Sequence, residues 1–167
     1  MVAEIQRRRG DRSKNLVGFV VGAVSYAVDI QRVKEIINPT PVVILPHAPK
    51  AVVGVVDHRG EVVPIVDLRM RFGLDAITET RRTKWIVVTV EDRAVGLVVD
   101  AVTEVFGTTE PDQRSVPSLG MGDAARGIAA VYKYSDSLVF VLDIDRVAAP
   151  AQALDLDAVR HLVGENE

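Results

Sequence analysis

Residues 54–74 read GVVDHRGEVVPIVDLRMRFGL. Val55 and Val56 make a short apolar run, which Asp57, His58, Arg59 and Gly60 interrupt. The run resumes from Glu61 to Leu68. The pattern is strand, tight turn, strand, with Gly60 at a turn position that favours φ > 0. A helical turn over Met70–Leu74 closes the unit. Arg59 stands out as a cation at the tip of an otherwise apolar hairpin.

A second stretch copies this layout. Gly54 opens a segment that ends Pro64-Ile65-Val66-Asp67-Leu68, and Gly127 opens one that ends Phe140-Val141-Leu142-Asp143-Ile144. Upstream, Tyr26-Ala27-Val28-Asp29 followed by Val33-Lys34-Glu35-Ile36 is matched by Leu97-Val98-Val99-Asp100 followed by Val102-Thr103-Glu104-Val105. The offset stays at roughly 70 to 76 residues, too long for a solenoid repeat. The chain therefore reads as two copies of one small β unit, each of about five short strands. Five short strands escape exposed edges by closing into a barrel. The expected fold is all-β, two small five-stranded barrels packed together.

Composition agrees. The 167 residues are 48% hydrophobic but only 5% aromatic, so valine carries the core and favours strands. A net charge of −3 argues against a general nucleic-acid-binding small barrel, which would be basic with a clustered aromatic face. The absence of cysteine excludes disulfides, thiolate catalysis and cysteine zinc sites. No apolar run reaches the ~18 to 20 residues that span a bilayer. A basic stretch without an apolar core follows Met1, so the protein is expected to be cytoplasmic.

In order, residues 1–15 form a basic, disordered arm. Leu16–Val21 and Tyr26–Ile30 make a hairpin, with Asp29 capping a helical turn over Ile30–Arg32. Val33–Ile37 alternates as a half-exposed strand, stopped by Pro39 and Pro41. The polar stretch 75–83 is a linker. Trp85–Val90 and Ala94–Val99 form the next hairpin. Lobe one is expected at about 16–82 and lobe two at about 83–149. Thr108–Ala125 is the longest irregular stretch, and a short amphipathic helix is expected over 152–163 within the tail 150–167.

No chemistry converges. The three histidines, His47, His58 and His161, lie in a loop, a hairpin tip and the tail, without metal spacing. Asp29, Asp67, Asp100 and Asp143 recur at equivalent strand ends and read as turn or cap residues. The glycines near Met121 lack the strand and Lys-Ser/Thr of a phosphate loop. No catalytic residue, metal or cofactor is expected. What remains is surface. Arg59 suits recognition of another protein at a groove between lobes. In the plainer reading it pairs with Asp57 or Glu61, and Glu35 is a solvated strand residue.

Three segments resemble a CheW-like domain: Phe19 through Tyr26–Ile30 with Val33-x-Glu35-Ile36; Gly54 through Arg59-Gly60 and Pro64–Gly73; and Val95–Asp100 with Val102. The resemblance runs from about residue 16 to 149. It implies two SH3-like barrels in tandem and a non-catalytic adaptor of that domain alone. Such an adaptor joins chemoreceptor cytoplasmic tips to the regulatory domain of the histidine kinase CheA, in arrays at the inner face of the membrane. It also implies receptor-binding or coupling-sensitive roles for Val33, Glu35, Gly54, Arg59 and Val105, and a kinase contact near Leu45, Pro46 and His47. One departure is plain. The family's usual Asn-Leu before Arg-Gly is Asp57-His58 here, which puts an acid where it can pair with Arg59. That leaves room for a dedicated pathway other than flagellar chemotaxis.

Overall fold

The computed structural model describes residues 14–76, 78–116 and 127–156. Most of the N-terminal arm, part of the loop within 108–127 and most of the tail helix predicted over 152–163 lie outside them. The described residues form eleven strands: β1 (Lys14–Val21), β2 (Val24–Asp29), β3 (Val33–Ile37), β4 (Val52–His58), β5 (Glu61–Asp67), β6 (Lys84–Val90), β7 (Arg93–Val99), β8 (Ala101–Thr108), β9 (Gln113–Arg114), β10 (Ile128–Tyr134) and β11 (Ser137–Leu142). Three short helical segments join them: α1 (Leu68–Arg71), α2 (Ile144–Val147) and α3 (Ala149–Gln152). All four predicted hairpins are present.

The strands build two sheets, in the orders β8-β1-β2-β11-β10-β9 and β3-β6-β7-β5-β4. This corrects the lobe boundaries. A division at 82/83 would put β1–β5 in one barrel and β6–β11 in the other. Instead each half lends its first hairpin to the other sheet. β1 and β2 join β8, β10 and β11, while β6 and β7 join β3, β4 and β5. The crossings fall at the repeated aspartates. After Asp29 a 3-10 turn (Ile30–Arg32) carries the chain from the first sheet to the second, and at Asp100 it crosses back. The docked hairpins pair in parallel, β2 with β11 and β5 with β7. Replacing each strand by its repeat equivalent turns one order into the other, apart from β9. The units are thus two five-stranded, SH3-like barrels, interleaved rather than in tandem. β9, inside the stretch expected to be irregular, pairs Arg114 with Val131.

Interleaving makes the inner strands two-faced. In β6, Ile86, Val88 and Val90 enter the central core between the sheets, and Trp85 and Val87 enter the barrel interior. In β1, Val17, Phe19 and Val21 face the centre while Leu16 faces the other interior. Strands buried on both faces need near-continuous apolar sequence, which accounts for the valine content.

The predicted caps divide. Asp29, Asp67 and Asp143 accept from the backbone N–H of Gln31, Arg69 and Asp145 as expected. Asp100 does not cap. It accepts from Arg69 Nε and Nη2, both at 2.8 Å, and from the Gly22 N–H at 2.8 Å. Burial pushes the Asp100 carboxyl up, but Arg69 and Gly22 together hold it below its ordinary value. Arg69 follows β5 and Gly22 lies in the β1–β2 turn, so this network ties one sheet to the other.

Candidate functional site

At the β4–β5 tip, Arg59 (φ 55°) and Gly60 (φ 80°) both take positive φ, as a two-residue type I′ turn requires. Asp57 caps the turn by accepting from the Gly60 N–H at 3.0 Å. It is therefore not the partner of Arg59, and neither is Glu61, which accepts from Lys34 at 3.2 Å and from the Ala94 N–H. Arg59 Nη2 donates instead to Glu35 Oε1 at 2.8 Å, across to the edge strand β3.

Glu35 shares its carboxylate. His58 Nε2 lies 3.0 Å from Oε2, and a carboxylate acceptor requires the proton on that nitrogen. The His58 hydrogen bond holds the Glu35 carboxyl below its usual 4.5. Partial burial opposes this, and the charges of Arg59 and Lys34 assist it. Glu35 is 24% exposed, whereas Arg59 is 74% exposed. One edge strand thus anchors a guanidinium that still faces solvent. The cluster also closes the barrel, since β3 and β4 are the two edges of their sheet.

The other predicted residues are dispersed. Val33 is half-buried against the central core. Val105 is exposed on β8 of the other sheet, in register with Val17. Gly54 has a local steric reason: a Cβ there would collide with the Val43 carbonyl oxygen and lie 2.6 Å from Val42 Cγ1. Its bareness lets residues 42–43 cross β4, where Val43 and Val55 exchange two 2.9 Å backbone hydrogen bonds. The connection bearing Leu45, Pro46 and His47 is thereby fastened to the strand that leads to Arg59. Pro46 and His47 are exposed, Leu45 is half-buried, and Ile44 beside them is 78% exposed. Sequence reading missed Ile44, and it missed His58 as a partner of Glu35. The signal for Ile44 was the unbroken run Val42–Leu45, too apolar for a connection between prolines.

Among the described residues no cluster of histidine and carboxylate side chains is placed to hold a metal, and no helix is long and apolar enough to cross a membrane. Residues 15–152 match the sequence-family model of the CheW-like domain.

The chain belongs to the CheW-like family.

It is similar to the chemotaxis protein CheW of Rhizobium meliloti, 36% identical over 137 residues, which is 80% of this chain and 86% of the relative. It is similar also to the chemotaxis protein CheW of Helicobacter pylori, 31% identical over 131 residues, 78% and 79% of the two chains. The crystal structure of the scaffolding protein TtCheW from Thermoanaerobacter tengcongensis matches with a TM-score of 0.73 at 25% identity, covering 80% of this chain and 86% of that one. A CheW-like chain with these relatives is a chemotaxis adaptor, whose work is scaffolding.

Proposed function

We propose that this chain couples chemoreceptors to the histidine kinase CheA by binding both at once. The observation that carries the receptor half is the exposed Arg59 guanidinium, held on a barrel edge by Glu35. It suits an acidic side chain on the helical receptor tip, with Val33 and Val105 as apolar or coupling-sensitive positions and Gly54 supporting the hairpin. The kinase half rests on the connection bearing Leu45, Pro46 and His47, where Pro46, His47 and the neighbouring Ile44 are exposed. Such an adaptor works in arrays at the inner face of the membrane.

No bond is made or broken. Holding two partners together raises their effective concentration. A receptor change reaches the kinase only if it alters the free energies of two kinase states unequally. The Val43–Val55 bridge offers a short path, since it joins the connection to β4 and β4 ends at the Arg59 tip. Asp57-His58 tunes this surface toward its own receptor: His58, standing where the family has an apolar residue, holds Glu35 directly. That contact favours a specialised receptor, as in a dedicated non-flagellar chemosensory pathway.

The test is co-sedimentation with receptor arrays. Arg59→Glu is expected to lose receptor binding with the circular dichroism spectrum unchanged. Retained co-sedimentation would sink the assignment.

A further inference from the structure

The repeat places a second clasp in the barrel whose sheet also carries β9. Edge strand β8 stands where β3 stands, so Glu104 is the counterpart of Glu35. The β10–β11 tip is the counterpart of the β4–β5 tip. His58 maps to Tyr134, Arg59 to Ser135 and Gly60 to Asp136. The backbone repeats as well, with φ 46° at Ser135 and 62° at Asp136. Tyr134 donates its hydroxyl to Glu104 Oε2 at 3.2 Å, as His58 meets Glu35 at 3.0 Å.

One member is missing. Arg59 completes the first clasp, but Ser135 carries no charge to neutralise Glu104. Among the described residues no cation pairs with Glu104, which is exposed. The clasp opens instead onto a cup of about 160 Å³, lined by Ser25, Thr103, Glu104, Phe106, Tyr134 and Ser137 among others. Phe106 and Tyr134 stack with ring centroids 4.2 Å apart. Aromatic rings, hydroxyls and a carboxylate without a counter-ion among the described residues form the chemistry that receives a guanidinium, which stacks, donates in a fork and brings the missing charge. Partial burial raises the Tyr134 phenol, and the Glu104 carboxylate adds to it, so the ring stays a neutral donor toward Glu104.

We infer that the Glu104–Tyr134 cup is a second protein-docking site, which takes an arginine side chain from a partner protein in the place that Arg59 fills within the chain in the other barrel. The occupant is an arginine in trans. Arg59 of a second copy would offer only part of its fork, since its Nη2 already donates to Glu35. The site does not depend on the receptor assignment of the Arg59 surface.

The test uses the isotope-labelled full chain and three blocked tripeptides, Gly-Arg-Gly, Gly-Lys-Gly and Gly-citrulline-Gly, followed by NMR. The arginine peptide is expected to give saturable shifts at Glu104, Phe106, Tyr134 and Ser135. The lysine peptide should bind several-fold more weakly and the neutral citrulline peptide should not bind. Glu104→Gln is expected to weaken the arginine peptide by about tenfold. Ser135→Arg should fill the cup from within and abolish peptide shifts while the rest of the spectrum holds. No shift at these residues up to on the order of 20 mM peptide would overturn the site. So would equal binding of citrulline, or unchanged affinity in Ser135→Arg. Concentration-dependent dimerisation that disappears in Glu104→Gln would overturn the heterologous partner in favour of a second copy.

Discussion

Removing Asp100 tests whether the sheets are tied where the chain crosses between them. Asp100 is 17% exposed and Arg69 30% exposed, and three hydrogen bonds of 2.8 Å converge on the carboxylate. Exposed ion pairs contribute about 0–1 kcal/mol, and breaking a fully buried one costs about 3–5 kcal/mol. This pair lies between, so Asp100→Ala is expected to cost about 2–3 kcal/mol, or about 5–10 °C in Tm for a chain of this size. Asp100→Asn keeps one acceptor and should cost about half as much. Trp85, the single tryptophan, is buried and reports unfolding in urea by its fluorescence. A double-mutant cycle with Arg69→Met should return a coupling of about 1–2 kcal/mol. The pH dependence has a definite sign. The Asp100 carboxyl titrates lower folded than unfolded, so its contribution is complete above the ordinary value of 3.8 and fades as pH falls through the folded value. Wild type and Asp100→Asn should therefore converge in acid. A cost under about 0.5 kcal/mol for Asp100→Ala, or a coupling near zero, would refute the reasoning.

Other expectations follow from single contacts. Gly54→Ala should cost about 1–3 kcal/mol by overpacking and speed hydrogen exchange at the Val43 and Val55 amides; unchanged exchange would contradict the steric account. His58→Leu removes the contact that most lowers the Glu35 carboxyl, so an NMR titration should find that group moved up toward 4.5. Asp143→Ala removes the cap of α2 and should cost about 1 kcal/mol in urea unfolding.

The hairpins were legible because they are local: a two-residue turn such as Arg59-Gly60 or Glu91-Asp92 between apolar runs carries its own geometry. The repeat was legible for the same reason, and so were the five repeated strands of each barrel, though not the added β9. The exchange of hairpins was not. Strands β1 and β2 show the same alternation whichever sheet they join, and no residue within a hairpin records the destination. The Arg59 partner was hidden by distance. Asp57 and Glu61 were near at hand in sequence, but the turn backbone takes the first and Lys34 and Ala94 take the second. Glu35 is 24 residues away and meets Arg59 only once the barrel closes. Asp100 misled in the opposite way, since it looks like its three capping equivalents and only the folded chain brings Arg69 to it.

As proposed, one small protein holds two others through separate surfaces. The most direct measurement is a pull-down of the full chain, wild type and Arg59→Glu, against a chemoreceptor cytoplasmic fragment and against the CheA regulatory domain. The account predicts that wild type binds both, and that Arg59→Glu loses the receptor fragment while retaining the kinase domain. Binding of the wild type to neither bait, or loss of both in Arg59→Glu with the fold intact, would contradict it.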